Sequence, residues 1–282
     1  MRTAIIAEIA SSHNGDLELA KALINAAANN GADIVKFQDW RAENIPKGDS
    51  DKARYEKYEF PNQWYNILPA YCEKKGIEFL TTCFNADRVA FLAGLGLKRI
   101  KIASISMNNK DLLLSSGVRF EELIVSTAMH THEEIEAVID FLYTNTQKFT
   151  IMACTANYPT SYENANLERI NELQSMLEFN EYANVGFSNH SLFLDVPKAA
   201  LCMGIKYLEV HFSLSRYLPQ IRHSMYDGGE TITTHEISLE PHQLRELADW
   251  RDKVEVMQGS GEFRINEIEQ AIKTKYAGRY GK

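Results

Sequence analysis

Two apolar runs in this chain stop at the same kind of polar cluster. Gly186-Phe187-Ser188-Asn189-His190-Ser191-Leu192 and Tyr207-Leu208-Glu209-Val210-His211-Phe212-Ser213 each read as a strand, so two imidazoles and a carboxylate would project from neighbouring strand ends. His190 and His211, with Glu209 beside them, form a donor set for a divalent metal with an electrostatic partner. Lys36 and Lys101 lie inside β-rich runs, where an unpaired ammonium is costly. Each therefore calls for an inward-facing anion or a bound phosphate or carboxylate. Further polar residues recur where other strand-like runs stop: Glu8, Gln38, Thr81 and Thr82, Ser104, Ser126 and Thr127, Thr155 and Tyr158. A pocket with two cations, several hydroxyls, two histidines and two glutamates suits an anionic small molecule and a metal acting as Lewis acid on a carbonyl. The chemistry this supports is metal-assisted carbon–carbon or phosphoryl chemistry on a phosphorylated acid.

The elements that must position these groups alternate. Thr3 to Glu8 is β-rich, and Asp16 to Asn30 carries Leu17, Ala20, Leu23, Ile24 and Ala27 at helical spacing before Gly31. The same alternation recurs to Lys206–Phe212 and a last long helix from Pro241 to Met257, giving eight strands each followed by a helix. Within it, the spacing predicts one helix over 63–75. Thr131-His132-Glu133-Glu134 reads as a capping box before another helix. Eight βα units in about this length predict an α/β fold, a (β/α)8 TIM barrel over residues 1–262, with its site at the carboxyl ends of the strands. An open doubly wound sheet is the alternative, but its Gly-rich fingerprint after the first strand is missing. The polar stretch from Asp39 to Pro61 is longer than a plain turn and is expected to cover the substrate.

Composition narrows the functions. The chain has 282 residues, 45% of them apolar, and a formal net charge of −8, which argues against nucleic acid as a partner. No run approaches the roughly 20 apolar residues of a membrane span. Cys72, Cys83, Cys154 and Cys202 make no C-x-x-C pair, and the short N-terminal apolar run is broken by Glu8, so a reduced, cytoplasmic protein without a secretory leader is expected.

The ordered motifs resemble those of the sialic acid (N-acylneuraminate, or nonulosonate) synthases. The matching segments are Ala7-Glu8-Ile9 with His13-Asn14-Gly15-Asp16; 31–38, ending Lys36-Phe37-Gln38; Thr81-Thr82-Cys83-Phe84; Lys101-Ile102-Ala103-Ser104; Ser126-Thr127-Ala128-Met129; Asn157-Tyr158-Pro159-Thr160; 186–190; 209–212; and Ser238-Leu239-Glu240-Pro241. The resemblance implies condensation of phosphoenolpyruvate with an open-chain aldose. The enolpyruvate carbon would attack the aldehyde, water would add to the former enol carbon, and phosphate would leave by C–O cleavage. On this resemblance Lys36, Lys101, Ser104, Ser126 and Ser188 hold the phosphoenolpyruvate, with Glu209 beside them. Glu8, Gln38 and Tyr158 face the sugar, and His190 and His211 bind Mn²⁺ or Mg²⁺. The catalytic set is then Glu8, Lys36, Lys101 and Glu209, and the protein is expected to be a homodimer.

Departures from the family pattern fall mostly on the acceptor and acid–base side. Ser104-Ile105-Ser106 replaces Ser-Gly-Glu, Ser188-Asn189-His190 replaces Ser-Asp-His, and Ala153 stands where the family has His before Cys154. Thr234-His235 occupies an Asp-His place. These changes predict an altered aldose, with a non-catalytic barrel that binds phosphoenolpyruvate or a sugar as the alternative. Residues 263–282 read as a tail, or a remnant of the linker to an antifreeze-like domain that the family usually carries. The segment from Leu218 to Thr234, with Arg222 as its sugar contact, is expected to serve as a lid.

Overall fold

The computed structural model of the chain describes residues 2–177, 182–218 and 235–279. Eight parallel strands pair in sequence order and close on themselves: β1 (Ala4–Glu8), β2 (Ile34–Asp39), β3 (Glu78–Cys83), β4 (Arg99–Ile102), β5 (Glu122–Ser126), β6 (Phe149–Cys154), β7 (Ala183–Asn189) and β8 (Tyr207–His211). The helices between them are α1 (Leu17–Asn29), α2 (Lys52–Tyr58), α3 (Leu68–Lys75), α4 (Ala86–Ala93), α5 (Lys110–Gly117), α6 (His132–Asn145), α7 (Tyr162–Ala165), α8 (Glu168–Met176) and α9 (Asp195–Leu201), with α10 (Pro241–Gln258) and α11 (Glu267–Tyr276) after β8. The capping box before α6 is present, Thr131 and Glu134 each bonding the other's backbone N–H. The single helix expected over 63–75 is divided into a 3-10 turn, Asn62–Asn66, and α3. Pro69 has no N–H to donate and is tolerated only in a helix's first turn, so the helix restarts there.

The barrel has two separate apolar clusters. Ile6, Ile34, Leu80, Ile124, Met152 and Tyr207 fill its interior, while the outward residues of the strands pack with the helices. Because side chains alternate faces along a strand, the residues two places further on point into the same lumen. They are Glu8, Lys36, Thr82, Ser126, Cys154 and Glu209. One apolar layer therefore supports one polar layer, and every member of both is buried. Gly186 belongs to this packing: a Cβ there would meet Tyr207 O at 2.9 Å and Met152 side-chain carbons at 3.2 Å. Below the apolar layer, buried Glu122 accepts from Thr150 (2.8 Å), Lys206 (2.7 Å) and Tyr207 OH (2.9 Å), closing the amino-terminal end.

The stretch after β2 is anchored to the barrel at both ends, by Asp39 to Ala42 and by Tyr58 and Phe60, while none of residues 43–57 is buried. Tyr58 and Phe60 are fully buried, and Phe60 packs against Phe37 and Phe79 with ring centroids 5.0 and 6.2 Å apart. Asp39 anchors its start, accepting from Arg88 Nε (2.9 Å), Tyr65 OH (2.9 Å) and Arg41. These outward contacts from β2 and β3 pin the excursion to the barrel flank, since burying its aromatic side chains outweighs leaving them in solvent.

Candidate active site

The polar layer is a cluster of ion pairs. Lys36 Nζ lies 2.9 Å from Glu8 Oε2 and 2.8 Å from Glu209 Oε2, and Lys101 Nζ lies 3.0 Å from Glu209 Oε2. Ser188 Oγ donates to Glu209 Oε1 (3.0 Å), and Gln38 Nε2 donates to Glu8 Oε1 (2.8 Å). Strand register brings them together: Glu8 stands beside Lys36 and His211, Ser188 beside Glu209, and Thr82 beside Lys101. Buried Lys36 and Lys101 are compensated by the protein's own carboxylates.

Electrostatics follow from this geometry. Burial drives Lys36 down to about 7, opposed by Glu209 and assisted by the like charge of Lys101. Burial alone would raise Glu209, but Lys101 and Lys36 outweigh it and hold the carboxyl well below the usual carboxylate range. Glu209 therefore stays ionised, and its two oxygens accept three charged or hydroxyl donors. Counted formally, the two lysines and two glutamates of the layer balance.

Some buried polar atoms of the layer have no protein partner. Thr82 Oγ1 and Ser126 Oγ are among them, and so are His211 Nδ1 and, from the loop after β1, Ser12 Oγ. Leaving a buried hydroxyl unsatisfied costs about 1–3 kcal/mol, which a ligand entering the lumen would recover. Glu8 Oε2 also lacks a bond of good direction despite its closeness to Lys36.

The two histidines sit at the rim with ring centroids 5.5 Å apart. His190 Nδ1 lies 2.7 Å from Thr155 O, so this nitrogen carries the proton and Nε2 keeps its lone pair. Tyr158 stacks on His190 at 4.1 Å and meets His211 edge-on at 6.2 Å. Burial brings His190 down to about 4 and His211 well below its ordinary value, so both are neutral. Neutral imidazole is the form that binds metal. Two such donors, one held by a backbone carbonyl and one with an unsatisfied nitrogen, fit a divalent ion that keeps open positions for other ligands. Among the described residues no group of three or more His, Cys, Asp or Glu side chains clusters as a metal site.

Of the residues singled out from sequence, Glu8, Lys36, Gln38, Lys101, Ser126, Ser188, His190, Glu209 and His211 are brought to this end of the barrel together with Tyr158. Ser104 stands at the edge, accepting from Ala128 N (3.0 Å) and lying 3.5 Å from Cys154 Sγ. Arg222 and nearly all of the expected lid segment lie outside the described residues. Thr81 does not belong: it faces outward, bonding Phe37 O (3.3 Å), and Thr127 is likewise taken by Met152 O (3.0 Å). Strand parity decides this, since adjacent residues cannot both face the lumen. The same parity adds Cys154 to the lining and singles out Thr82. His235 joins next to β8. Ser213 Oγ donates to Ser215 O, so His235 Nδ1 donates to Ser213 Oγ (2.7 Å) and its buried Nε2 is left without a partner.

Residues 23–263 match the sequence model of the NeuB family. The chain is 33% identical to the N,N'-diacetyllegionaminic acid synthase of Legionella pneumophila over 95% of its length and 77% of that protein's. It is 28% identical to the N-acetylneuraminate-9-phosphate synthase of Mus musculus over 96% of its length and 75% of that protein's. Among solved structures, the N-acetylneuraminic acid synthetase of Leptospira borgpetersenii, in complex with citrate, superposes with a TM-score of 0.87 at 27% identity, over 99% of this chain and 93% of the other. A closed barrel with a buried Lys–Glu layer beneath two neutral histidines, matched by a family model over most of its length, makes this chain a member of the NeuB family.

Proposed function

We propose that the chain condenses phosphoenolpyruvate with an aldose, giving a 2-keto-3-deoxy sugar acid and inorganic phosphate. The observation that carries this reading is the set of unsatisfied buried donors, Thr82 Oγ1 and Ser126 Oγ, in one layer with Lys36 and Lys101. Hydroxyls and ammoniums converging in a closed lumen suit a small ligand with phosphate and carboxylate groups. The relatives, a legionaminic acid synthase and a neuraminate-9-phosphate synthase among them, agree with it.

In this reading Lys101 and Lys36 exchange part of their contact with Glu209 for the anionic ligand. Ionised Glu209, fixed by Ser188, keeps both ammoniums aimed inward and does not act as an acid. Lys36, with its proton affinity brought near 7 by burial, is able to release a proton at neutral pH. Glu8 and Gln38 face the acceptor side, and Tyr158 packs the imidazole that binds metal. His190 and His211 would hold Mn²⁺ or Mg²⁺, which when bound supplies Lewis-acid polarisation of the sugar aldehyde. The bond made is between the enolpyruvate methylene carbon and the aldehyde carbon. The bond broken is C–O, with water supplying the oxygen left on the former enol carbon.

The test is phosphate release by purified protein with phosphoenolpyruvate, Mn²⁺ or Mg²⁺ and a panel of N-acylated and simple aldoses. Release that requires an aldose, and that His190→Ala abolishes, supports the proposal. Phosphoenolpyruvate binding without release, whatever the aldose, would instead indicate the non-catalytic barrel.

A further inference from the structure

Helix α2 packs where the loop after β1 meets the end of β2. A Cβ added at Gly15, in that loop, would meet Lys57 O at 3.0 Å, and Trp40 Nε1, just past β2, donates to Tyr55 O at 3.2 Å. Trp40 is two residues beyond Gln38, and its ring lies 5.6 Å from that of Tyr55 and 6.5 Å from that of Phe84, two residues beyond Thr82. Register orders the strands: Glu8 of β1 stands between His211 of β8 and Lys36 of β2. At about 4.8 Å between neighbouring strands, the end of β2 is about 10 Å from that of β8. An aldose whose aldehyde lies by the histidines and whose hydroxyls cross Glu8 and Gln38 therefore brings its far end toward Trp40 and α2.

Helix α2 carries Arg54. Its side chain is only 12% exposed, yet among the described residues its guanidinium makes no hydrogen bond, and the buried Nε has no partner. Its ion pair with Asp51 Oδ2 is loose, at 3.8 Å, and its ζ carbon lies over the Tyr55 ring, 4.6 Å from the centroid. The neighbouring arginines are already engaged: Arg41 bonds Asp39, Glu59 and Phe60 O, and Arg88 bonds Asp39 and Asn62. A guanidinium holds five N–H donors in a planar fork that matches a phosphate or carboxylate. Enclosing such a group without hydrogen bonds is costly, and an anion held in the fork offsets that cost. We propose that Arg54 is a specificity-determining residue that grips a phosphate or carboxylate at the end of the acceptor remote from the aldehyde, so that the chain prefers an anionic aldose. This rests on the condensation proposed above and names the class of its acceptor.

The test gives the full chain phosphoenolpyruvate, Mn²⁺ and, in turn, an N-acylated aldohexose, its 6-phosphate and the matching hexuronate, which separate phosphate from carboxylate. With one of the anionic acceptors, kcat/KM for phosphate release should exceed that with the neutral sugar. In Arg54→Gln this ratio should fall roughly tenfold, the effect of losing one hydrogen bond between charged groups, and the fall should lie in KM rather than kcat. Arg54→Lys, which keeps the charge, should retain part of the preference. A ratio taken within one variant does not depend on how much of it folds. Calorimetry of the two anionic sugars with the chain free of phosphoenolpyruvate gives a second reading, in which Arg54→Gln should bind the preferred one roughly tenfold more weakly. No preference for either anionic acceptor overturns the proposal, and so does an Arg54→Gln variant that keeps the preference or the affinity. If no acceptor yields phosphate, the condensation fails, and the calorimetric comparison alone decides whether Arg54 binds the anion.

Discussion

At the scale of single residues, the informative feature is which buried polar atoms lack a partner. Ser126 is 95% buried by strand β5, yet its hydroxyl bonds nothing in the protein. A Ser126→Ala variant should lose little or no stability without ligand, because it removes an unsatisfied group rather than a bond. Phosphoenolpyruvate affinity, measured by calorimetry, should fall by roughly tenfold, about 1.4 kcal/mol for one lost hydrogen bond to a charged group. An unchanged affinity would place the ligand elsewhere. Most of the residues involved were legible in sequence, since Lys36, Lys101, Glu209, His190 and His211 stand out as charge or imidazole within apolar runs. Their pairing was not legible. Lysine in a strand calls for an anion, but whether Glu8 and Glu209 or a ligand provides it depends on distances between strands far apart in the chain.

At the scale of elements, the two ends of the barrel separate stability from chemistry. The amino-terminal end is closed by Glu122, whose carboxyl burial would raise but hydrogen bonds from Lys206, Thr150 and Tyr207 hold below its usual range. Glu122→Gln removes the charge that Lys206 and Arg99 pair with, 2.7 and 3.3 Å away. Urea unfolding should register a loss of about 3 kcal/mol, the low end of the range for breaking a buried ion pair. The rate of phosphate release per folded molecule should stay the same, because the site is at the opposite end of the strands. The alternation of eight strands with helices was readable from periodicity, but α2, α7 and α11 were not. Where the stretch after β2 packs was not legible, because its polar residues dominate the pattern while its few aromatics anchor it.

For the whole molecule, stability should depend on pH through histidines buried without charge. His13 is enclosed by Phe37, Phe60 and Trp64, accepts from Gly15 N (3.0 Å) at Nδ1, and is brought down by burial to about 4. Above its ordinary value of 6.5 both folded and unfolded chains leave it neutral. As pH falls from 6.5 toward 4 the unfolded chain takes up a proton that the folded state refuses, so stability is lost across that window. One such group contributes a fall of roughly 2 kcal/mol between about pH 7 and pH 5. In His13→Asn the difference in urea stability between these pH values should shrink by about that amount, whatever the variant's absolute stability; an unchanged difference would mean that His13 is charged in the folded protein. By itself the sequence determined the class of fold, the family and most of the polar residues at the barrel mouth. Hydrophobic period and motif order are local properties of a chain. Only the tertiary structure decided which neighbour of each polar pair faces the lumen and which carboxylates neutralise the lysines. Those depend on strand parity, closure of the barrel and contacts between distant segments, and no local pattern encodes them.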